Sequence, residues 1–346
     1  MAGSKTNAGY FFEDYRVGQV LRHATPRTVG AGERALYHAL YPARHALHSS
    51  DAFARSCGLE AAPLDDLIAF HTVFGKTVPD ISLNARANLG YAEGLWHAPV
   101  RPGDTLSAES EVIGLKQNSS GRTGVVWVRT RGRNQEGREV LSYVRWVMVK
   151  TRDAGASAPE TVVPELKATL APGDLSVPPG LSFEGYDFDL AGEPHRLSDY
   201  AVGEVIDHVD GVTVEEAEHM MATRLWQNTA KVHFDATQRE DGRRLVYGGH
   251  VISMARALSF NGLANAQAIA GLNGGAHANP CFAGDTIRAW SEVLDIADTA
   301  APGVGAIRLR LVATRGEGPE AGLRDGEGRY HGHVLLDLDY WALMPA

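Results

Sequence analysis

The chain has 346 residues, 44% hydrophobic and 22% charged, a composition that excludes disorder and a fibrous rod. A formal net charge of −9 argues against DNA or RNA as a partner. No run approaches the roughly 18 apolar residues of a membrane span, the start MAGSKTNAGYFFEDY carries no apolar leader, and two cysteines make no disulfide framework, so a reduced, cytoplasmic protein is expected.

In chain order, a short strand over 17–22 precedes a helix over 31–39, with Thr28 as a candidate N-cap. A loop ending in His48 follows, then an apolar helix over 64–74. Alternating segments at 124–130 and 140–150 predict antiparallel strands. Residues 152–198 carry Pro159, Pro164, Pro172, Pro178 and Pro179. Proline rings break helices and central strands, so this stretch reads as a linker over the surface. The order then restarts with a strand over 202–207, Thr213, a helix over 214–225 and a loop to His233. A longer helix over 250–264 places Val251, Met254, Ala255 and Leu258 on one face, and strands follow at 307–313 and 334–344.

The restart is a duplication. Residues 15–48 align on 200–233 without a gap, with 10 identities in 34 positions, among them His23/His208, Thr28/Thr213, Glu33/Glu218 and His48/His233. Pro99 and Gly103-Asp104-Thr105 recur as Pro280 and Gly284-Asp285-Thr286. The expected division is 1–151, a linker over 152–198, and 199–346. One buried helix with several antiparallel strands, twice over, gives an α+β class in which each sheet curls round its helix.

Both halves resemble the MaoC-like hydratases and dehydratases of the hotdog fold. The signature of that family is D-x-N-P-L-H-x-D, followed by a His-Gly or similar pair that opens the central helix. The second half reads N-T-A-K-V-H-F-D, with Asn228 at the first Asp, His233 at the His and Asp235 at the trailing Asp, and its helix opens as Tyr247-Gly248-Gly249-His250. The first half keeps His48 and Phe53-Ala54…Gly58, but Ala43 stands at the first Asp. The resemblance implies a double hotdog of two tandem helix-wrapped sheets, an acyl-CoA thioester as partner, and a homodimer or higher homo-oligomer. It implies no cofactor beyond the coenzyme A that the substrate carries. FGKTVPDISLNARANLGYAEG and VYGGHVISMARALSFNGLANA are similar to the members that hydrate mesaconyl-CoA to β-methylmalyl-CoA, and that reaction is the first expectation.

Hydrating an enoyl thioester needs a base for the attacking water and a stabiliser for the enolate oxygen. Gly248-Gly249 at a helix start would let a thioester oxygen reach unpaired N–H groups, whereas Asp65-Asp66 in the first half would repel an enolate. The site is therefore expected in the second half, with the first half as a wall of the acyl-CoA tunnel. His233 is the expected base. Asn228 cannot accept a proton and would hold the water or orient the ring. Asp235, in preference to Glu218, would supply a carboxylate, and His250 and Ser253 face either the ligand or a neighbouring strand. Lys231 or Arg224 would meet the carboxylate of the substrate, and Arg243 and Arg244 the CoA phosphates. Plainer readings are a turn for Asn228, a local cap for Asp235 and a structural role for His48. No H-x-x-x-H or C-x-x-C pair with supporting acids predicts a metal site, and no G-x-G-x-x-G is placed to bind a dinucleotide. Competing functions are an R-specific enoyl-CoA hydratase for other acyl chains, a hotdog thioesterase, and a non-catalytic acyl-CoA binding module.

Overall fold

The computed structural model describes residues 5–153 and 159–346, so residues 154–158 of the predicted linker lie outside the described residues. The first half contributes β1 (Val20–Thr28), β2 (Ala85–Trp96), β3 (Thr105–Gln117), β4 (Thr123–Arg133) and β5 (Glu139–Lys150). The second contributes β6 (Val205–Thr213), β7 (Ala268–His277), β8 (Thr286–Asp298), β9 (Val304–Arg315) and β10 (Val334–Pro345). All ten form one antiparallel sheet in the order β1-β3-β4-β5-β2-β7-β10-β9-β8-β6. Each half thus repeats one strand order, and the two tandem sheets are fused where β2 pairs with β7, Tyr91 opposite Gly275 and Leu95 opposite Gly271. The chain is an α+β double hotdog.

Two buried helices fill the concave side. The first core helix, Asp66–Thr77, is buried at every position from Leu67 onward and packs on β1, β3 and β5. The second core helix, Gly248–Leu258, packs on β6, β8, β9 and β10. It ends earlier than its apolar pattern suggests, because Asn261 (ψ 100°) and Gly262 (φ +95°) leave helical geometry. The helices meet through a buried polar seam. His71 Nε2 lies 2.7 Å from Ser253 Oγ and its Nδ1 3.2 Å from Tyr247 Oη, while His250 Nδ1 lies 3.3 Å from Tyr41 Oη. Burial pushes both imidazoles down to about 3, so the seam is neutral at pH 7.

The duplicated residues take matching places. His23 Nε2 and His208 Nε2 each lie 2.8 Å from a serine hydroxyl, Ser110 and Ser291, on the adjacent strand. Thr28 and Thr213 do not cap helices, because β1 and β6 run on to them. Their hydroxyls instead bond Thr105 and Thr286 across the strand pair, at 2.7 and 2.8 Å. The described residues of the proline-rich segment form short helical turns and one bridge, Leu115 to Val162. It buries Leu170, Leu181, Phe183 and Tyr186 against Phe53, Trp341 and Leu343 in a small outer core. Among the described residues no helix is long and apolar enough to cross a membrane.

Candidate active site

A cavity of about 410 Å³ opens along the seam between the halves. Phe74, Asn88, Tyr91 and Arg145 line it from the first half, and Asn228, His233, Gly248 and His277 from the second.

His233 sits on a single helical turn, Lys231–Phe234. Its Nδ1 lies 2.8 Å from the Leu245 carbonyl oxygen. A carbonyl only accepts, so Nδ1 carries the proton and Nε2 keeps its lone pair. Burial pushes this imidazole down to about 4, against the opposing pull of the Leu245 bond, and at pH 7 the ring is neutral. Asn228 is 2% exposed, and its Oδ1 accepts the Ala230 N–H at 3.1 Å, which turns its amide nitrogen the other way.

Gly248 opens the second core helix without a side-chain cap. A Cβ there would stand 2.4 Å from the His277 imidazole, so only glycine lets that ring lie against the helix start. The first core helix begins differently. The Asp65 carboxylate accepts the Leu67 N–H at 2.9 Å, a cap worth about 1 kcal/mol. Asp66 accepts the Ile269 N–H at 2.7 Å and lies 3.4 Å from His48 Nε2. Burial, the largest single effect on His48, lowers it, but the charge and hydrogen bond of Asp66 together with the charge of Asp65 outweigh burial and raise the imidazole. The space beside His48 is about 20 Å³, room for one water at most. The first-half counterpart of the cavity is filled by its own carboxylate.

Other candidates lie elsewhere. His250 and Ser253 are fully buried but occupied in the polar seam between the helices, while the cavity face of the same helix carries Gly248 and Val251. Gly249 packs under the Tyr247 ring and does not line the cavity. Asp235 points outward, where it accepts from Thr237 N–H at 2.9 Å and Gln238 Nε2 at 2.8 Å and so caps the next turn. Arg224 is exposed on its helix and outside the cavity wall, and Lys231 is also exposed. Together with burial, the charges of Arg86 and Lys231 hold Lys150 below the usual lysine range, which marks a cationic group beside the rim residue Arg86. Arg243 stacks on Phe282 at 4.2 Å and Arg244 pairs with Glu216.

The sequence reading passed over Arg145, Asn88, Tyr91 and His277. Tyr91 Oη lies 3.1 Å from His277 Nε2, and burial followed by the nearby His233 pushes His277 down to about 4. Arg145 is fully buried on β5, with its guanidinium 4.3 Å above the Phe74 ring and Nη2 donating to Thr77 Oγ1 at 2.7 Å. Its Nε and Nη1, and both polar atoms of the Asn88 side chain, have no hydrogen-bond partner among the described residues. One signal was available: a lone arginine in the apolar strand VLSYVRWVMVK. Nothing in AIAGLNGGAH marks His277. Among the described residues no group of three or more His, Cys, Asp or Glu is placed to hold a metal ion.

A family model described as mesaconyl-CoA hydratase matches residues 2–319. The chain is 74% identical over 341 residues to a mesaconyl-CoA hydratase of Cereibacter sphaeroides, with 99% of each chain covered. It is 59% identical over 350 residues to a β-methylmalyl-CoA dehydratase of Chloroflexus aurantiacus, again covering 99% of each. Among solved structures, a MaoC domain protein of Chloroflexus aurantiacus superposes with a TM-score of 0.96 at 57% identity, with 99% of each chain covered. A double-hotdog protein of Mycobacterium tuberculosis superposes with a TM-score of 0.76 at 26% identity, covering 97% of this chain and 98% of that one.

Proposed function

The chain belongs to the mesaconyl-CoA hydratase family, and on that premise we propose that the seam cavity is where it adds water to mesaconyl-CoA, reversibly, to give β-methylmalyl-CoA. The chain is a hydro-lyase. In the reading we favour, His233 Nε2 takes a proton from water as the water oxygen bonds Cβ of the enoyl thioester. The π pair of the Cα=Cβ bond moves toward the thioester oxygen, which lies on the N–H groups at the Gly248 helix start, where unpaired donors and the helix dipole both favour negative charge. The proton on His233 then passes to Cα, the carbonyl reforms, and the base is regenerated. With its pKa held down to about 4, the imidazolium is a ready acid for that return step. Asn228 orients the water or the thioester and accepts no proton. Arg86, Lys150 and Lys231 supply cations for the CoA phosphates at the rim. The reading includes a cytoplasmic homo-oligomer and a reaction in which protein side chains and backbone supply all the acid–base chemistry.

One observation carries the assignment. A neutral imidazole with its tautomer fixed by the Leu245 carbonyl faces a cavity that ends on an uncapped glycine helix start, while the matching first-half position is closed by Asp66. The test follows loss of the ultraviolet absorbance of the conjugated enoyl thioester as mesaconyl-CoA is consumed. His233→Ala should lower kcat at least about 10²-fold, the scale of a lost general base. Near-native turnover by that variant would remove His233 from the role.

A further inference from the structure

We infer that Arg145, a residue of the first half, binds the free carboxylate of the substrate and so sets the preference for a carboxylated enoyl thioester. The inference deepens the function proposed above and rests on it.

Arg145 is fully buried, and a cation taken out of water is costly unless an anion meets it. The cavity wall supplies none: among the described lining residues there is no aspartate or glutamate, and the other ionisable groups are Arg86, Arg239, His233, His277, Tyr91, Tyr247 and Cys281. Both histidines are neutral at pH 7 and Arg239 is paired with Asp241, so the positive charge that no lining carboxylate meets is that of Arg145 and the rim residue Arg86, inside a protein whose formal net charge is −9. The two hydroxyls near Nη2, Thr77 Oγ1 at 2.7 Å and Ser82 Oγ at 3.5 Å, are uncharged. Nε with one N–H and Nη1 with two remain without a partner among the described residues. Stacking on Phe74 and the bond to Thr77 hold the guanidinium in place before any ligand arrives, which lowers the entropic cost of using it.

The chemistry of the reaction says what the anion is. In mesaconyl-CoA the carbon that takes the hydroxyl also bears a carboxylate. Water that is becoming hydroxide must approach that carbon, and an unpaired carboxylate beside it would repel the attack. A guanidinium on the carboxylate removes that repulsion and fixes Cβ relative to the His233 base. Lys231 and Arg224 are exposed, where solvent screens the same pairing. Asn88, whose amide atoms are likewise buried and unpaired in the wall, is placed to donate a second hydrogen bond.

The experiment measures binding of two dead-end ligands: the saturated analogue of mesaconyl-CoA, which cannot take up water, and the same compound methylated on its free carboxylate. The wild-type protein should bind the acid at least about 10²-fold more tightly than the ester, the scale for a buried charge pair. Arg145→Gln should lose that preference by weakening the acid alone, and Arg145→Lys should keep part of it. Equal affinities of the wild type for acid and ester would overturn the inference, a result that needs no variant to fold. It would also fall if Arg145→Gln bound the acid as tightly as the wild type, or lost acid and ester alike, which would put the guanidinium on the thioester or in a structural role. Turnover of mesaconyl-CoA by the wild type judges the hydratase reading separately. Turnover without acid preference sinks only the role of Arg145, and acid preference without turnover sinks only the hydratase reading and supports that role.

Discussion

One hydrogen bond decides which nitrogen His233 offers to the cavity. With Nδ1–H given to the Leu245 carbonyl, the ring offers only Nε2 to the cavity, and burial keeps it neutral with a pKa of about 4. In the proposed mechanism the neutral form is the base, so activity is retained above that value and lost as pH falls through it. kcat/KM for mesaconyl-CoA should therefore stay flat from neutral pH to about one unit above 4, and decline with an acid limb near 4 instead of near 6.5. A pH–rate profile with its midpoint near 6.5 would mean that the imidazole is solvated and poised by something other than burial. At this scale the sequence was readable where the site is contiguous. Asn228, His233 and Gly248 lie within one short stretch whose spacing is informative. Lys231 and Asp235 flank His233 in sequence yet point outward, because a single helical turn sends residues two positions away to other sides. Arg145 and His277 reach the cavity only because β5 and β7 run past it; the lone arginine of an apolar strand is the one local sign of the first, and no local pattern marks the second.

The two core helices are built from one template and start in opposite ways. The first gives its Leu67 N–H to the Asp65 carboxylate and turns the Asp66 carboxylate to the Ile269 N–H, whereas the second has no side-chain cap and opens on Gly248, which lines the cavity. Gly248→Ala tests whether that opening is needed. The added methyl would stand 2.4 Å from His277, so either the ring or the helix start must shift. kcat should fall by about 10²-fold, the cost of roughly an ångström of misplacement, while thermal stability changes little. Full activity with the alanine in place would show that neither the helix start nor His277 is closely held. The apolar runs made both helices legible, but their phase was not. Gly248 and Val251 face the cavity, and His250 and Ser253 turn to the seam. β2 and β7 escaped notice for a related reason. Their sequences, ARANLGYAEGLW and AIAGLNGGAH, are rich in Gly and Ala, which are weak strand formers. That composition suits the place where the two sheets join, since a Cβ on Gly94 would stand 2.7 Å from Leu272 across the pair.

At the scale of the whole molecule, the fused sheet encloses an unusual amount of neutral imidazole. His71 and His250 are held at about 3, and His208, His233 and His277 at about 4, with burial the largest cause each time. In the unfolded chain each would return to about 6.5. Between those limits the unfolded state binds protons that the folded state refuses, so stability rises with pH there and is lost on acidification. His48 opposes this, since the charges of Asp66 and Asp65 raise it and its contribution is present below about 6.5 and fades above, but it is one group against those five and against His38, His45 and His219, which burial also lowers. The melting temperature should therefore drop steadily from pH 7 to pH 5, and unfolding at pH 5 should take up several protons, measurable by calorimetry in buffers of different ionisation enthalpy. A melting temperature unchanged over that range would mean that these rings are protonated in the fold. The two pH dependences also separate in time. The proposed base, His233, stays neutral at pH 5, whereas the folded state as a whole is already less stable there. Initial rates at pH 5 should be close to those at pH 7 and then decay as the chain unfolds, and the decay should slow when the cavity is filled by a tight ligand, because binding draws the equilibrium back to the folded state.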